Sequence, residues 1–183
     1  MKLEKTEIKD VFLIKNFIQE DNRGTFIKTF NFSSLNSHGI NFSVKENYYS
    51  VNKKNVIRGM HFQLPPFEHK KIVYVSYGKI LDVVIDLRKN SPTFLKSISF
   101  NIDSNKYDSI YIPRGCAHGF KSLENNTIVN YLVETEYKRN SDSGIKFDSF
   151  NFDWGKVNKN LISDRDLSFS TLNEFISEKK YFN

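Results

Sequence analysis

Short segments rich in Val, Ile, Tyr and Phe recur along the middle of this chain, and they constrain its fold more than any other feature. Several of them alternate apolar and polar residues with a period of two, as in SISFNI at residues 97–102. This alternation is typical of strands that bury one face and expose the other. The predicted strands span residues 42–51, 55–62, 71–77, 79–87, 97–102, 109–113 and 126–137.

Turn sequences separate the predicted strands, among them YGK at 77–79 and DSNK at 103–106. Short strands at this regular spacing predict an all-β sandwich or a small barrel. Helices are expected at only two places. The first covers residues 31–39, and the second covers residues 170–180, where Thr171 and Glu174 form a capping-box pattern.

Length and composition exclude several classes of protein. The 183 residues fit a single domain spanning 1–183, and a hydrophobic content of 39% suffices for a core of that size. The net charge of +6 suits an anionic ligand, but no long basic run points to nucleic acid. The single cysteine, Cys116, excludes an internal disulfide and a four-thiolate zinc site. We see no signal peptide or membrane span and therefore expect a cytoplasmic protein without membrane contacts.

Polar residues cluster in the second predicted strand and at the start of the third. A single strand histidine is most often a core residue with one satisfied hydrogen bond, but His61 lies near Arg58, Gln63 and Lys71. Arg58 and His61 would point to opposite faces of a regular strand. Gly59 between them permits a bulge that turns both into one cavity. Such an interior is costly unless it binds an anion or a carbonyl group.

A second motif is IPRGCAHGF at 112–120, in which a Pro-Gly turn connects two strands and His118 begins the second of them. This P-x-G-x-x-H pattern is similar to the second signature of cupin barrels, which are jelly rolls that enclose a ligand cavity. The H-x-H of the first cupin signature is absent, so we expect no metal site. A metal would require His61, Glu68, His69 and His118 to converge from a turn and two strands.

Two other features have a plain structural interpretation. Tyr131, in the last predicted strand, is by residue type a core aromatic, and Tyr137 is six residues further on, facing the same side. ISDRD at 162–166 is a charge run of the kind that usually forms a solvated turn.

Together the motifs resemble a known family. DNRGTF, NVIRGMHFQ, KIVYVSYGKILDVVIDLRKNSPTF, IPRGCAHGF, YLVETEY and ISDRD, in this order, are similar to sequences of the dTDP-4-dehydrorhamnose 3,5-epimerases and related nucleotide-sugar epimerases. The resemblance implies a cupin jelly roll, a homodimer, and an isomerase without a metal or other cofactor. It also implies a nucleotide-linked 4-keto-6-deoxy sugar as substrate, in deoxysugar and surface-polysaccharide biosynthesis.

Matching positions in that family imply four catalytic residues. His61 is the base that removes a proton next to the C4 ketone, and Asp166 orients it. Lys71 stabilises the enolate oxygen. Tyr131 returns a proton to the opposite face, a plausible role if neighbouring cations lower its pKa. The implied substrate-binding residues are Arg23, Phe26, Lys28, Glu46, Arg58, Gln63, His118, Tyr137, Asp142 and Arg165.

Three positions depart from the pattern of the family. Lys28 stands where a Glu usually binds thymine, Tyr48 stands at the position of an Asn, and Lys70 replaces a common Gly. A lysine has only donors and cannot accept the thymine N3–H. GDP- or CDP-linked sugars therefore stay open as alternatives to dTDP-sugars, as does inversion at C3, at C5 or at both.

Three other classes compete with an epimerase. A 3,4-ketoisomerase of the same fold and a metal-dependent cupin oxygenase would be expected to carry an H-x-H-like arrangement, which the chain lacks. A sugar- or nucleotide-binding module without catalysis would be expected to lack the base or the acid, and both His61 and Tyr131 are present.

Overall fold

The structure is a computed structural model that describes residues 1–178 and residue 182. Thirteen short strands, three short α-helices and one 3-10 helix, at Lys159–Leu161, form within that part of the chain. The strands are β1 (Lys2–Lys5), β2 (Phe12–Lys15), β3 (Phe17–Asp21), β4 (Gly24–Lys28), β5 (Glu46–Asn52), β6 (Ile57–Gln63), β7 (Lys71–Tyr77), β8 (Lys79–Asp86), β9 (Ser97–Asp103), β10 (Asp108–Ile112), β11 (Cys116–Ser122), β12 (Thr127–Val133) and β13 (Asp142–Gly144). The helices are α1 (Phe32–Asn36), α2 (Asp164–Leu167) and α3 (Leu172–Ser177).

Two antiparallel sheets account for eleven of these strands. The first sheet has the order β1-β2-β10-β7-β12-β5, and the second has the order β13-β6-β11-β8-β9. Their inner faces pack together, with Val73 and Val129 of the first sheet in one apolar cluster with Val84 and Phe120 of the second. Side chains alternate between the two faces of a strand, so every second residue of β7, β8, β11 and β12 points into this interior. The predicted all-β jelly roll is confirmed.

The C-terminal segment covers the outer face of the second sheet. Met60 and Phe62 of β6 belong to the same buried cluster as Trp154, Phe175 and Phe182. Burial of each such side chain contributes about 2 kcal/mol. This packing is what carries α2 to the edge of β6, beside His61.

Most of the predicted elements form, with shifted ends. The strand predicted at 126–137 ends at Val133, and the helix predicted at 31–39 is confined to Phe32–Asn36. Thr171 and Glu174 make the predicted capping box of α3, which ends at Ser177. Residues 179 and 180 of the predicted helix lie outside the described residues. ISDRD is not a solvated turn, because α2 forms there and buries Asp166.

A hairpin of β3 and β4 forms a separate two-stranded sheet. All five residues of β3 are exposed, and so are all residues of β4 except Ile27. No described helix is long and apolar enough to cross a membrane.

Candidate active site

A cavity opens between the two sheets, in two connected parts. The outer part, of about 380 Å³, is lined at its mouth by Tyr137 and Arg165. The inner part, of about 210 Å³, is lined by Arg58, His118 and Tyr131 among others. Tyr48, His61 and Lys71 line both parts.

His61 is paired with a buried carboxylate. Its Nε2 lies 2.9 Å from Oδ1 of Asp166, whose side chain is 5% exposed, while the His61 side chain is 31% exposed. Oδ2 of Asp166 also accepts from the backbone N–H of Gly59 at 3.0 Å. The backbone N–H of Asp166 donates to the hydroxyl oxygen of Ser163, which caps α2. Burial raises the pKa of Asp166, but the hydrogen bonds from His61 and Gly59 outweigh it and the pKa is lowered. The pair leaves Nδ1 of His61 available to accept a proton.

A bulge brings Arg58 and His61 to the same cavity, as the sequence predicted. Arg58 pairs with Phe120 and His61 with His118, so that Gly59 and Met60 of β6 lie opposite the single residue Gly119 of β11. The extra residue reverses the alternation of side chains, so both Arg58 and His61 face inward. Gly59 has φ +132°, and a Cβ there would lie 2.5 Å from the Cα of Gly119. The bulge therefore requires glycine.

Lys71 and His118 supply buried polar groups in the floor of the cavity. Burial lowers the pKa of Lys71 to about 8, although Asp82 acts in the opposite direction. The Lys71 ammonium lies 3.5 Å from the carbonyl oxygen of His61. His118 pairs through Nε2 with Oδ2 of Asp82 at 2.7 Å, and both side chains are almost fully buried. Burial lowers the pKa of His118, and Asp82 offsets this only in part.

Tyr131 approaches the inner part of the cavity from the first sheet, opposite His61 on the second. Its ring lies 5.0 Å from that of Tyr48, nearly parallel, and 6.3 Å from the ring of His118. Burial raises the pKa of Tyr131, and Tyr48 and Asp82 add to this effect. Arg58 lowers the pKa, but only by a smaller amount. The cations near Tyr131 therefore do not make it more acidic than an ordinary phenol.

The mouth of the cavity is held by a hydrogen-bonded group of side chains. Asp142 Oδ2 accepts from the Tyr137 hydroxyl at 3.1 Å and pairs with Arg165 at 2.7 Å. Glu46 accepts from the backbone N–H of Tyr137. Tyr137 lies beyond the end of β12, yet its ring lines the mouth and is 56% exposed.

Gln63 lies beside this group, but its hydrogen bonds go to the protein. It donates to the carbonyl oxygen of Phe67 at 2.9 Å and accepts from the backbone N–H of Lys138 at 2.6 Å. Gln63 thus joins two loops behind the cavity.

Three of the predicted binding residues are not brought to the cavity. Arg23, Phe26 and Lys28 lie on the β3–β4 hairpin and do not line either part. Arg23 pairs with Asp21 of the same hairpin, and Phe26 is 57% exposed. Lys70, one of the three departures from the family pattern, pairs with Glu134 and does not line the cavity.

Sequence reasoning missed two residues of this site. Asp82 lies on the inner face of β8 because it is two residues from both Ile80 and Val84, which point to that face, and the sequence contains this pattern. Phe169 packs edge-on against His61 at 5.8 Å and beneath the Arg165 guanidinium at 5.2 Å, which no local pattern indicates. Among the described residues, no group of three or more His, Cys, Asp and Glu side chains is arranged to hold a metal ion.

Comparison with known proteins places this chain in a family. The family model described as dTDP-4-dehydrorhamnose 3,5-epimerase matches residues 5–174. The chain belongs to this family. The dTDP-4-dehydrorhamnose 3,5-epimerase of Shigella flexneri is 35% identical over 173 residues, covering 92% of this chain and 94% of that protein.

Solved structures agree with this assignment. An epimerase from Mycobacterium tuberculosis is similar with a TM-score of 0.95 and 28% identity, covering 100% of this chain and 94% of the other. The dTDP-6-deoxy-D-glucose-3,5-epimerase from Legionella pneumophila, in complex with dTDP-4-keto-L-rhamnose, is similar with a TM-score of 0.89 and 25% identity, covering 100% and 98%. The predicted family, the isomerase class and the cupin jelly-roll fold are confirmed.

Proposed function

We propose that this epimerase inverts a carbon next to the C4 ketone of a nucleotide-linked 4-keto-6-deoxy sugar. The observation that carries the proposal is the placement of His61, paired with Asp166, and Tyr131 on opposite walls of one cavity. Inversion requires removal of a proton from one face of a carbon and delivery of a proton to the other. A base and an acid on facing sheets meet that requirement.

The proposed reaction consists of two proton transfers and involves no change of oxidation state. Nδ1 of His61 removes the proton next to the ketone, and the C–H electron pair moves to the C4 oxygen to give an enolate. The Lys71 ammonium donates to that oxygen. The enolate carbon then takes the hydroxyl proton of Tyr131 on the opposite face, which restores the ketone. Solvent returns a proton to Tyr131 and removes one from His61.

A raised pKa of Tyr131 is compatible with this role. Because the pKa of Tyr131 is raised, the phenol holds its proton at neutral pH and is available as a donor. Transfer remains favourable because a carbon acid next to a ketone holds its proton more tightly than a phenol does. The mechanism does not require Tyr131 to be an unusually strong acid.

The remaining cavity residues suit the nucleotide diphosphate. The Arg58 guanidinium provides a planar donor for phosphate or sugar oxygens, and Tyr137 offers an exposed ring on which a base can stack. Glu46, Asp142 and Arg165 hold Tyr137 and the mouth in place, and Gln63 and His118 close the walls. We propose dTDP as the nucleotide, because the named relatives act on or bind dTDP-sugars.

We also propose that the enzyme is a homodimer in which the β3–β4 hairpin packs against the partner subunit. Phe17 and Phe26 share one face of this hairpin and are 44% and 57% exposed, and Ile18, on the other face, is 44% exposed. A two-stranded hairpin with an uncovered apolar face is marginally stable alone. In this arrangement Arg23, Phe26 and Lys28 reach the cavity of the partner, which accounts for their distance from the cavity of their own chain.

The test is deuterium incorporation in heavy water with dTDP-, GDP- and CDP-linked 4-keto-6-deoxy hexoses. We expect the dTDP-sugar to gain deuterium, one atom for action at a single centre and two for action at C3 and C5. His61→Asn should abolish incorporation with the fold intact by circular dichroism. Tyr131→Phe should lower the inverted product by about two orders of magnitude, the scale of general-acid catalysis. Incorporation by His61→Asn would refute the base assignment, and no incorporation by the wild type with any sugar would refute the function.

A further inference from the structure

Tyr48 is the direct cross-strand partner of Tyr131. In the register of β5 with β12 these two residues lie opposite each other, so their side chains share the inner face of the sheet. The ring centroids are 5.0 Å apart and the ring planes differ by 22°, which is a stacked pair. One face of the proposed proton donor is therefore covered by a second tyrosine.

Of the Tyr48 and His118 rings, which both pack against Tyr131, the Tyr48 ring is the more exposed. On its other sides the Tyr131 ring meets His118 edge-on at 6.3 Å, and Ser50 lines the same part of the cavity. His118 is 3% exposed and fixed by Asp82, so that wall is rigid. Tyr48 is 47% exposed and lines both parts of the cavity. Removing its ring would leave space into which Tyr131 can turn.

Packing of the ring, more than the hydroxyl, holds Tyr48 in place. None of the described residues forms a hydrogen bond with the Tyr48 hydroxyl. Stacked aromatic pairs contribute about 1 kcal/mol beyond the area they bury, which is enough to favour one rotamer over another several-fold. A phenylalanine would keep this contribution, whereas an aliphatic side chain would lose it.

We propose that Tyr48 is a positioning residue that holds Tyr131 in the orientation from which it protonates the face opposite His61. The proposal rests on the proposed function. Tyr48 would decide which face of the enolate carbon is protonated. When Tyr131 is correctly oriented, it protonates the face opposite His61 and the centre is inverted. When it is not, His61 returns the proton to the original face. Without the Tyr48 ring, the substrate exchanges its hydrogen with solvent but keeps its configuration.

The test is the ratio of exchange without inversion to inversion. Deuterium in recovered substrate and in inverted product is measured in heavy water for the wild type and for Tyr48→Phe, Tyr48→Leu and Tyr48→Ala. We expect the ratio to rise by about tenfold or more in the Leu and Ala variants, as part of the general-acid contribution is lost. Tyr48→Phe should stay close to the wild-type ratio. Tyr77→Ala, a change of an exposed tyrosine in the same sheet that does not line the cavity, serves as the matched control and should leave the ratio unchanged.

The outcomes separate this proposal from its rivals. If Tyr48 only supported the fold, its loss would lower exchange and inversion in parallel. If it only bound substrate, its loss would raise KM alone. An unchanged ratio in both the Leu and Ala variants would overturn the proposal. Exchange retained by either variant shows that it is folded and that the His61 side works. If the wild type itself showed no exchange, the proposed function would be refuted, and this result differs from an unchanged ratio in the Tyr48 variants, which refutes only the role of Tyr48.

Discussion

At the scale of single residues, surroundings give three histidines of this cavity different properties. His61 is half-open to the cavity and backed by Asp166. His118 is buried against Asp82, and burial lowers its pKa. His69, beside Gln63, has a pKa lowered to about 3 by burial and by the charges of Lys71 and Arg114. His61 therefore combines access to a ligand with a carboxylate that orients its ring, the arrangement expected of a general base.

Lys71 leads to a prediction about pH. Burial lowers the pKa of its ammonium to about 8, so the charge is present below that pH and lost above it. If the charge stabilises the enolate, kcat should fall as pH rises through about 8, as measured by solvent exchange across the alkaline range. Lys71→Arg should move this decline upward even if the rate is reduced, because a guanidinium keeps its proton. A decline at the same pH in Lys71→Arg would assign it to another group.

How much of the site the sequence predicts depends on the kind of contact. His61 and Lys71 can be recognised as polar residues in apolar strands. Asp166 can be recognised only through the family motif, because it is buried when α2 packs beside His61, which is 105 residues away in the sequence. The stack of Tyr48 on Tyr131 is not predictable from either segment alone. It depends on the register of β5 with β12, which is set by packing of whole strands.

At the scale of elements, the strands that the sequence predicts are those whose side chains alternate or are β-branched. β11, which the sequence indicates only as the strand after the Pro-Gly turn, reads CAHGFKS, with weak strand formers. It forms because all seven of its residues are buried between β6 and β8. The exposed β3 escapes prediction because its sequence FIQED has no buried face. Pairing with other strands, β6 and β8 for β11 and β4 for β3, therefore determines that these two strands form. Gly59, by contrast, marks the bulge of β6 in the sequence itself.

The turn after β8 is held by one buried carboxylate, so we expect that residue to contribute strongly to the free energy of unfolding. Asp86 is fully buried and accepts five hydrogen bonds, from the backbone N–H, Nε and Nη2 of Arg88, and from the hydroxyls of Ser91 and Thr93. Asp86→Asn should lower the free energy of unfolding by about 3 kcal/mol, the scale for breaking a buried pair. Denaturant titration would measure this as a lower midpoint with an unchanged slope.

The pH dependence of that difference has a defined sign. Burial raises the pKa of Asp86, but its hydrogen bonds outweigh burial and the pKa is lowered. The contribution of such a carboxylate is therefore present above its unfolded pKa of about 3.9 and is lost as pH falls through the folded value. The wild type and Asp86→Asn should converge in acid. Glu7→Gln, a change in the exposed pair with Lys96, is the control and should have little effect at any pH. A difference that persisted in acid would contradict this account.

At the scale of the whole molecule, the two sheets divide the chemistry. The second sheet carries His61 and Arg58, and the first carries Lys71 and Tyr131. In the proposed mechanism the reacting carbon lies between the two sheets, so the sandwich itself would give access from opposite faces. The proposed dimer extends this division, because each cavity would be completed by the hairpin of the other subunit. The sequence indicates the hairpin motif DNRGTF but not which cavity it serves, since that depends on a second chain.

Hybrid dimers distinguish a hairpin that serves its own cavity from one that serves the partner. His61→Asn and Arg23→Ala are each expected to be inactive as homodimers. When the two are unfolded together and refolded at equal amounts, a mixed dimer has one cavity with both changes and one cavity with neither, provided that Arg23 acts across the interface. Random pairing in a two-fold dimer then restores about one quarter of the wild-type sites.

The control replaces the cross-subunit residue by one in the same cavity wall. His61→Asn mixed with Tyr131→Phe should remain at the low rates of the separate variants, because a cavity in the mixed dimer has one change or the other. No recovery with Arg23→Ala, from a sample shown to be dimeric by light scattering, would mean that the hairpin folds back onto its own subunit. A monomer in solution would refute the dimer directly. Recovery to about a quarter would instead make the exposed apolar face of the hairpin part of the active site, because each subunit would then depend on the other for substrate binding.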